Sequence, residues 1–319
     1  MKKALITGIA GFVGSYLTEH LLEENIDVVG VVHPNHVSKN LDNIKNKITT
    51  HESDLSKKDQ LKSILKTTKP DLVFHLAAFA SPKKSFKNPY ETLENNIKSQ
   101  INLLESLVEL KSNAWILVVG TAEEYGNVNE KLLPVAEDAP LAPTSPYGVS
   151  KVAQDLLGYQ YFLQYGLRVI RVRPFNHIGP RQSKDFVVPA FAAQIAKIEK
   201  DGDSGTIKVG NLEAERDFTD VRDIARAYLL ALSGKCTPGQ VYNLGTGKPV
   251  KISDILEKLI SYSTANIIVE VDKSLFREVE IKKIYCDYSR FNKVTGWRPL
   301  INLETTLTDT INYEREQIN

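Results

Sequence analysis

The chain has 319 residues, enough for one large domain or two ordinary ones with a substantial core. Hydrophobic residues make up 42% and charged residues 25%, and the formal net charge is +1. These are the proportions of a soluble globular protein, and the balanced charge excludes a general attraction to nucleic acid or to an anionic membrane surface. We therefore expect no nucleic-acid partner and no membrane partner.

Cysteine and histidine usage indicates neither a disulfide scaffold nor a metal site. Cys236 and Cys286 are the two cysteines, and they belong to no Cys-x-x-Cys pair. The six histidines show no zinc-type pairing with each other or with the cysteines. No apolar run reaches membrane-spanning length, and Met1 is followed by a strand-like run without a cleavable signal pattern. We expect a cytoplasmic protein without a bound metal.

A glycine-rich turn connects the first predicted strand to the first predicted helix. Ala4–Thr7 is an apolar run, and apolar residues recur at helical spacing from Tyr16 onward. Between them lies the pattern Gly-x-x-Gly-x-x-Gly, in a context where the backbone approaches a pyrophosphate and the helix N-terminus favours an anion. The alternative is a tight structural turn. We predict dinucleotide contacts from Gly8, Ala10, Gly11, Phe12, Val13 and Gly14.

The second predicted strand, Val28–Val32, ends at His33 without an acidic residue. An NAD site usually places Asp or Glu there to bind the ribose 2′-hydroxyl. The absence of an acid leaves room for a 2′-phosphate that His33 could contact. We therefore favour NADP(H), with NAD(H) as the alternative.

Two further strand ends are predicted to contact the cofactor. Ile48–Leu55 reads as a short strand, and its Asp54 is placed to accept from an adenine amino group or to cap the helix predicted at Lys57–Thr67. Asp71–Ala78 reads as a buried strand that runs into small residues, which leave space for a ligand. Its His75 is interpreted as a packing residue. The predicted contacts at these two ends are Asp54, Leu55, Leu76, Ala77 and Ala78.

Strands and helices alternate from residue 3 to residue 173. The predicted elements include a helix at Asn96–Leu110, a strand at Ala114–Val119, a helix at Pro146–Tyr165 and a strand at Leu167–Val172. This alternation predicts an α/β fold with a Rossmann-like, doubly wound parallel sheet.

After residue 175 the alternation loosens. We predict a cofactor domain at 1–175, with returning segments near 217–247, and a smaller, partly interleaved α/β substrate region at 176–319. Within it, Arg216–Asp223 is predicted to begin a helix that runs to Leu232, and Gln240–Gly247 a strand with a glycine turn.

Tyr147 and Lys151 lie four residues apart at the start of a predicted helix. Ser145 is a good N-cap, and Pro146 suits the first helical position. Residues i and i+4 share a helix face, and a cation beside a phenol favours the phenolate. The alternative is a Tyr and a Lys on the protein surface without a catalytic role. Thr121 follows the strand Ala114–Val119, at the end where open α/β sheets bind ligands.

Taken in order, these motifs resemble the extended short-chain dehydrogenase/reductase family over essentially the whole chain. The resemblance implies a catalytic triad of Thr121, Tyr147 and Lys151, in which Lys151 lowers the pKa of Tyr147 and binds the nicotinamide ribose. It adds Asn96 to the cofactor contacts. It also implies a nucleotide-linked sugar as substrate, and a homodimer formed through the helices at Asn96–Leu110 and Pro146–Tyr165.

Within that family, the substrate half resembles the GDP-6-deoxy-D-mannose reductases. The segments that carry this likeness are Arg173–Pro180, Lys208–Ala214 and Arg216–Asp223. The resemblance implies NAD(P)H-dependent reduction of the C4 keto group of a GDP-4-keto-6-deoxy sugar. Diphosphate recognition requires fixed donors and positive charge, which Arg supplies. The implied substrate contacts are Thr121, Ala122, Glu123, Asn176, Val187, Asn211, Arg216, Arg277 and Glu280.

Glu123 leaves the reaction open. In the related GDP-mannose 4,6-dehydratases, a Glu two positions after the Thr removes the C5 proton, and Thr121-x-Glu123 fits that pattern. We favour the reductase, then the dehydratase, then a nucleotide-sugar 4-epimerase. A protein that binds a dinucleotide without catalysis is the remaining alternative, which the complete triad disfavours.

Overall fold

The computed structural model describes residues 2–34, 39–202, 204–276 and 279–318. Most of the amino-terminal half forms one parallel sheet with helices on both faces. The strands of this sheet are β1 (Lys3–Thr7), β2 (Asp27–Val32), β3 (Thr49–Glu52), β4 (Leu72–His75), β5 (Trp115–Val119), β6 (Arg168–Pro174) and β10 (Val241–Leu244). The helices that precede β6 are α1 (Phe12–Glu23), α2 (Lys58–Thr68), α3 (Pro82–Lys87), α4 (Pro89–Glu109) and α5 (Pro146–Tyr165).

The strand order of this seven-stranded sheet is β10-β6-β5-β4-β1-β2-β3, and every pairing is parallel. The chain starts at β1, winds outward to β3, and then crosses back to β4 and the opposite edge. This reversal places the carboxyl ends of β1 and β4 side by side, where doubly wound sheets bind ligands. The Rossmann-like α/β fold predicted from the alternation is confirmed.

Both faces of the sheet are covered by apolar side chains from the helices. One core packs α1 and α7 (Val221–Ala231) against the sheet and includes Phe74, Tyr228 and Trp297. The other core packs α2, α4 and α5 against the opposite face. Strands buried on both faces read as continuous apolar runs, as β1, β4 and β5 do here.

The remaining strands are β7 (Asn176–Ile178), β8 (Ser204–Val209), β9 (Glu215–Asp220), β11 (Pro249–Lys251), β12 (Asn266–Val271) and β13 (Lys283–Ile284). The remaining helices are α6 (Val187–Asp201), α8 (Ile252–Ser261), α9 (Ser289–Thr295) and α10 (Leu303–Ile318). Apolar residues of α6, α8, α10, β8 and β9 pack together in a third core beside the sheet. Phe291 of α9 instead packs in the core that contains Trp297.

Two predicted elements need correction, and one element was missed. The segment Arg216–Asp223 does not begin a helix, because its first part lies in β9, which pairs with β7, β11 and β13. The helix begins after Asp220, whose carboxylate caps it by accepting from the N–H of Arg222 at 2.8 Å. The helix α4 begins at Pro89 rather than at Asn96. The carboxyl-terminal helix α10 was not predicted at all.

No helix in the described part of the chain is both long and apolar enough to cross a membrane.

Candidate active site

The turn between β1 and α1 requires glycine at both ends. Gly8 has a φ of +72°, and a Cβ added there would lie 2.9 Å from the backbone nitrogen of Ala77. A Cβ on Gly14 would lie 2.3 Å from the carbonyl oxygen of Gly8. Gly11 is the N-cap of α1 and has no side chain, so no capping side chain occupies the first N–H groups of the helix. This cradle fits the pyrophosphate of a dinucleotide.

Two side chains outside the motif support the same turn. The ring of Phe12 stacks on that of His177, with the centroids 6.0 Å apart. The side-chain amide of Asn40 donates to the carbonyl oxygen of Ala10 at 3.1 Å. Val13 is half-buried next to them. Neither His177 nor Asn40 was predicted here, because both reach the turn through tertiary packing rather than sequence spacing.

The carboxyl ends of β2 and β3 lie side by side, because the two strands are parallel neighbours in the sheet. β2 pairs with β3 so that Val32 faces Glu52, which places His33 and Asp54 at neighbouring strand ends. His33 is exposed, whereas Asp54 is half-buried and its carboxylate accepts from the N–H of Ser56 at 2.9 Å. Leu55 is buried beneath them. Asp54 therefore caps a local turn, and the first helical residue after it is Lys58 in α2.

Small residues follow β4 and face the glycine turn. Leu76, Ala77 and Ala78 are half-buried, and the N–H of Ala77 donates to the Thr7 hydroxyl at 3.3 Å. The same hydroxyl lies 2.8 Å from Nδ1 of His75. Burial and the charge of Lys151 lower the His75 pKa to about 3, so the imidazole is neutral. His75 is thus a packing residue, as predicted.

Asn96 is completely inaccessible, so the direct cofactor contact predicted for it does not fit its position. Its amide is engaged on both sides: it pairs with the backbone of Phe79 and donates to the Ser150 hydroxyl at 2.9 Å. Ser150 directly precedes Lys151 in α5. Asn96 therefore fastens the segment after β4 to the helix that carries Tyr147 and Lys151.

Tyr147 and Thr121 are brought together from different elements. Thr121 caps a short 3₁₀ turn after β5, and its hydroxyl lies close enough to the Tyr147 phenol to lower the pKa of that phenol. Tyr147 lies in the first turn of α5, where the Ser145 hydroxyl accepts from the N–H of Gly148 at 3.0 Å. The backbone N–H of Tyr147 donates to Ser85 in α3 at 3.1 Å. The start of α5 is therefore fixed both by its own N-cap residue Ser145 and by Ser85 of α3.

The pKa of Tyr147 moves in the direction opposite to the one expected from Lys151. Burial raises it above 10.0, the charge of Glu123 raises it further, and the neighbouring Thr121 hydroxyl opposes them. The ammonium of Lys151 instead donates to the carbonyl oxygen of Val119 at 2.9 Å. Burial lowers the Lys151 pKa to about 8, and the negative charge of Glu124 opposes that fall. The phenol therefore keeps its proton at neutral pH.

Three residues of the short turn after β5 differ in exposure. Ala122 is buried, Glu123 is half-buried near the Tyr147 phenol, and Glu124 is fully buried. The Glu124 carboxylate accepts from the N–H of Thr121 at 2.9 Å. The side chain predicted to be ambiguous, Glu123, is thus the accessible carboxylate beside the phenol. Glu124 was not predicted to be a site residue, because its residue type alone does not indicate a role in the site.

The other predicted substrate contacts lie outside the seven-stranded sheet. β7 and β9 are paired in parallel, which places Asn176 and Arg216 on neighbouring strands. Arg216 is buried, and its guanidinium lies 3.2 Å from the carboxylate of Glu280. Asn211 is half-buried, and its side chain accepts from the N–H of Glu213 at 2.9 Å.

Two other predicted substrate contacts remain. Val187 begins α6 and is half-buried. Arg277 lies outside the described residues. Among the residues that the structure describes, no group of three or more His, Cys, Asp and Glu side chains could hold a metal ion.

Known proteins resemble this chain over nearly its whole length. The sequence profile of the family described as GDP-mannose 4,6 dehydratase matches residues 5–310. A GDP-6-deoxy-D-mannose reductase from Pseudomonas aeruginosa is 32% identical over 307 residues, which cover 96% of this chain and 95% of that protein. A UDP-glucuronate 4-epimerase from Thermodesulfobacterium geofontis is 32% identical over 332 residues, covering 98% of this chain and 96% of that protein.

The fold comparison agrees with the sequence comparison. The structure of RMD from Pseudomonas aeruginosa complexed with NADPH superimposes with a TM-score of 0.86 at 30% identity, and the match covers 99% of this chain and 100% of that one. The resemblance predicted from the motifs is confirmed. The chain belongs to the GDP-mannose 4,6-dehydratase family of extended short-chain dehydrogenases/reductases.

Proposed function

We propose that this protein is a nucleotide-sugar reductase that uses NADPH to reduce the C4 keto group of a GDP-4-keto-6-deoxy sugar. The observation that carries the proposal is the proximity of the Thr121 hydroxyl to the Tyr147 phenol, whose pKa it lowers, with Lys151 one helical turn further along α5. This arrangement presents two hydroxyl groups to one reacting oxygen.

The roles of the side chains follow from their positions. NADPH, when bound, supplies the hydride. Tyr147 donates its proton to the oxygen that becomes the alcohol, and Thr121 donates a hydrogen bond to the same oxygen while negative charge develops on it. The Lys151 ammonium compensates the charge that Tyr147 acquires when it loses its proton.

The protonation state of Tyr147 suits reduction. Burial and Glu123 keep the phenol in the acid form, which is the form that protonates an alkoxide. The reductase from Pseudomonas aeruginosa, 32% identical, adds support from outside the site.

The cofactor proposal depends on the glycine cradle and on the end of β2. The turn at Gly8 and Gly14 leaves backbone space for a pyrophosphate, and the strand that precedes His33 ends without an acid. An exposed imidazole can contact a 2′-phosphate. The NADPH complex of the structural relative supports NADP(H) over NAD(H).

The substrate proposal depends on Arg216 and Asn176. Both lie on the paired strands β7 and β9, and Arg216 is buried and oriented by Glu280. A guanidinium held in this way offers a diphosphate two parallel donors. We propose GDP as the nucleotide and residues 176–319 as the substrate region. Residues 1–175, with the returning segments near 217–247, form the cofactor domain.

We also propose a homodimer formed through α4 and α5. The outward faces of these helices carry apolar side chains, among them Tyr90, 77% exposed, and Leu163, 64% exposed. A surface depression of about 330 Å³ on α4 is lined by Tyr90, Leu93 and Ile97. Exposed apolar surface of this kind is typical of protein–protein interfaces.

A dehydratase is the second candidate, because Glu123 is a half-buried carboxylate close enough to Tyr147 to raise its pKa. Incubation with two substrates separates the candidates. GDP-4-keto-6-deoxy-mannose should be consumed with stoichiometric NADPH oxidation, whereas GDP-mannose should remain unchanged. Loss of water from GDP-mannose without net NADPH oxidation would contradict the reductase and establish the dehydratase.

A further inference from the structure

The strand β7 presents its two faces to two different parts of the molecule. Ile178 packs in the third core, whereas the ring of His177 stacks on that of Phe12 in the first turn of α1. Because successive side chains of a strand point to opposite faces, Asn176 shares the face of Ile178. One short strand therefore connects the proposed substrate contact Asn176 to the glycine turn between β1 and α1.

The strand β9 continues the face that carries Asn176. Asn176 is paired with Phe218, and Phe218 packs in the third core. Arg216 lies two residues before Phe218 and so on the same face. The two proposed diphosphate contacts, Asn176 and Arg216, thus occupy one side of the paired strands, and His177 occupies the other.

The ring of His177 is oriented by the backbone next to it. Its Nδ1 lies 3.1 Å from the carbonyl oxygen of Phe175. A carbonyl oxygen only accepts, so Nδ1 is the donor and this bond fixes the orientation of the ring. The planes of the His177 and Phe12 rings are 9° apart and their centroids are 6.0 Å apart, which is an offset stack. A displacement of Phe12 therefore reaches β7 through one rigid ring.

The chain after β7 returns to the same helix and is fastened there. The Arg181 guanidinium lies 2.8 Å from the carboxylate of Glu19 and donates to the Ser15 hydroxyl at 3.2 Å. It also lies over the Tyr16 ring, 4.4 Å from the ring centroid. The Tyr16 hydroxyl donates to the carbonyl oxygen of Pro180 at 3.3 Å. Both the backbone and the side chains of this segment therefore contact α1.

These contacts form one continuous stripe along α1. Ser15, Tyr16 and Glu19 follow Phe12 by three, four and seven residues, which is the spacing of a single helix face. Arg181 reaches that stripe with a φ of +72°, in the left-handed region that residues other than glycine seldom adopt. A residue persists in this region only where its surroundings hold it, and here the surroundings are the contacts with α1.

Phe12 is also part of the cofactor cradle. It is the first residue of α1, directly after the N-cap Gly11, where the first N–H groups of a helix bind an anionic phosphate. A dinucleotide in the cradle restricts this turn, and with it the stacked rings and β7. A ligand that orders a shared element spares the next ligand part of the ordering cost, which makes the binding of the two cooperative.

We propose that His177 is a positioning residue, whose stacked ring couples the cofactor turn to the substrate face of β7 so that a bound dinucleotide tightens the binding of the nucleotide sugar. The inference rests on the substrate contacts proposed above for Asn176 and Arg216. It predicts a coupling between two ligands that a purely structural histidine would not produce.

The coupling is measured by calorimetric titration of GDP into the protein with and without saturating NADPH. In the parent, NADPH should lower the dissociation constant of GDP by about five- to tenfold. Saturating GDP should lower the dissociation constant of NADPH by the same factor, because the coupling between two binding sites is reciprocal.

Three variants isolate the stacked ring. His177→Ala removes the ring, and NADPH should then change the GDP dissociation constant by less than about twofold. His177→Phe keeps an aromatic ring against Phe12 and should restore most of the coupling. His20→Ala is the matched control, because it removes an imidazole from the far end of α1, where Nδ1 of His20 lies 3.7 Å from the Glu23 carboxylate. It should keep the parental coupling.

Equal GDP affinity with and without NADPH in the parent would overturn the proposal, as would parental coupling in His177→Ala. An equal loss of coupling in His20→Ala would overturn it too, because the effect would not be specific to the stack. A loss in His177→Phe as complete as in His177→Ala would exclude the stacked ring as the coupling element. Far-UV circular dichroism checks the folding of each variant. If His177→Ala does not fold, Phe12→Leu removes the same stack from the helix side, and coupling retained there would overturn the proposal.

The titration needs no turnover, so its outcome is separate from that of the proposed function. UDP is titrated beside GDP for the same reason. Coupling with UDP alone would support the role of His177 and contradict GDP as the nucleotide. Coupling in a protein that does not reduce the keto sugar would support the role of His177 and contradict the reductase. Absence of coupling with both nucleotides would overturn the role of His177, whether or not the keto sugar is reduced.

Discussion

The hydroxyl of Thr121 lies beside the phenol of Tyr147 and lowers its pKa, which brings the turn after β5 together with the first turn of α5. The two residues are held independently, Thr121 by the Glu124 carboxylate and Tyr147 by Ser85. A pair fixed from outside in this way costs little reorganisation when a substrate oxygen arrives between them.

Replacing Tyr147 by Phe should remove the proton donor and leave the fold intact, because the change deletes one hydroxyl group and keeps the buried ring. We expect turnover to fall by about 10²- to 10⁴-fold, with NADPH affinity nearly unchanged. Tyr161→Phe is the control on the same helix, since its hydroxyl donates to Glu105 instead. Turnover within a few-fold of the parent in Tyr147→Phe would show that another group donates the proton.

Acid should destabilise the protein through His75. Its pKa is about 3 in the folded state against 6.5 ordinarily, so the unfolded chain binds a proton that the folded chain refuses. The stabilising contribution is complete above pH 6.5 and is lost as the pH falls toward 3. The loss is at most about 1.4 kcal/mol per pH unit.

His75→Asn tests this, because Asn can keep the bond to Thr7 without titrating. Between pH 7.5 and 5 its free energy of unfolding in urea should fall less than that of the parent, by roughly 2 kcal/mol. The comparison between the two proteins cancels the carboxylates, which titrate in both. Parallel pH dependences would mean that His75 is protonated in the folded state.

The sequence predicted those parts of the site in which a residue acts on its immediate neighbours in the chain. The helix α5 was predicted with its observed bounds, since Ser145 caps it and Pro146 starts it, and both effects act within one turn. The glycine turn was likewise predicted, because its backbone geometry requires glycine at Gly8 and Gly14.

The predictions failed where contacts between residues distant in the sequence determine the structure. The segment that contains Arg216 forms a strand because β7, β11 and β13 pair with it, and none of these partners is near it in sequence. The helix α10 buries Thr306, Thr310 and Glu314 among apolar residues, which blurs its hydrophobic periodicity. Asn96 was assigned to the cofactor, although its amide is engaged with Phe79 and Ser150.

The preference for NADPH should depend on His33. His33→Asp places a negative charge at the exposed end of β2, where it would repel a 2′-phosphate but could accept from a ribose hydroxyl. We expect the dissociation constant for NADPH to rise at least about tenfold and that for NADH to change little. His33→Asn, similar in size and uncharged, is the control. Equal losses for both cofactors, measured by fluorescence titration, would contradict a contact with the 2′-phosphate.

Arg216 should control binding of the substrate but not of the cofactor. Arg216→Gln removes the buried guanidinium that Glu280 orients, so KM for the nucleotide sugar should rise by about 10- to 100-fold. NADPH affinity should stay the same. Lys283→Gln is the matched control, since it removes a positive charge from the neighbouring strand β13, where Lys283 pairs with Glu215. Similar KM values for the two variants would argue against a diphosphate contact from Arg216.

Glu123 separates the two reactions that the family offers. In a reductase its carboxylate performs no proton transfer, and its charge only raises the pKa of Tyr147. Glu123→Gln should then preserve keto-sugar reduction within about tenfold and lower the pKa of the phenol, because one nearby negative charge is gone. In a dehydratase the same substitution removes the base that abstracts the C5 proton, and turnover should fall by at least about 10²-fold.

The measurement compares parent and variant in two assays, NADPH oxidation with the keto sugar and water loss from GDP-mannose. Reduction that disappears together with Glu123 would contradict the reductase mechanism, whereas reduction that persists leaves Thr121, Tyr147 and Lys151 as the groups that act on the reacting oxygen.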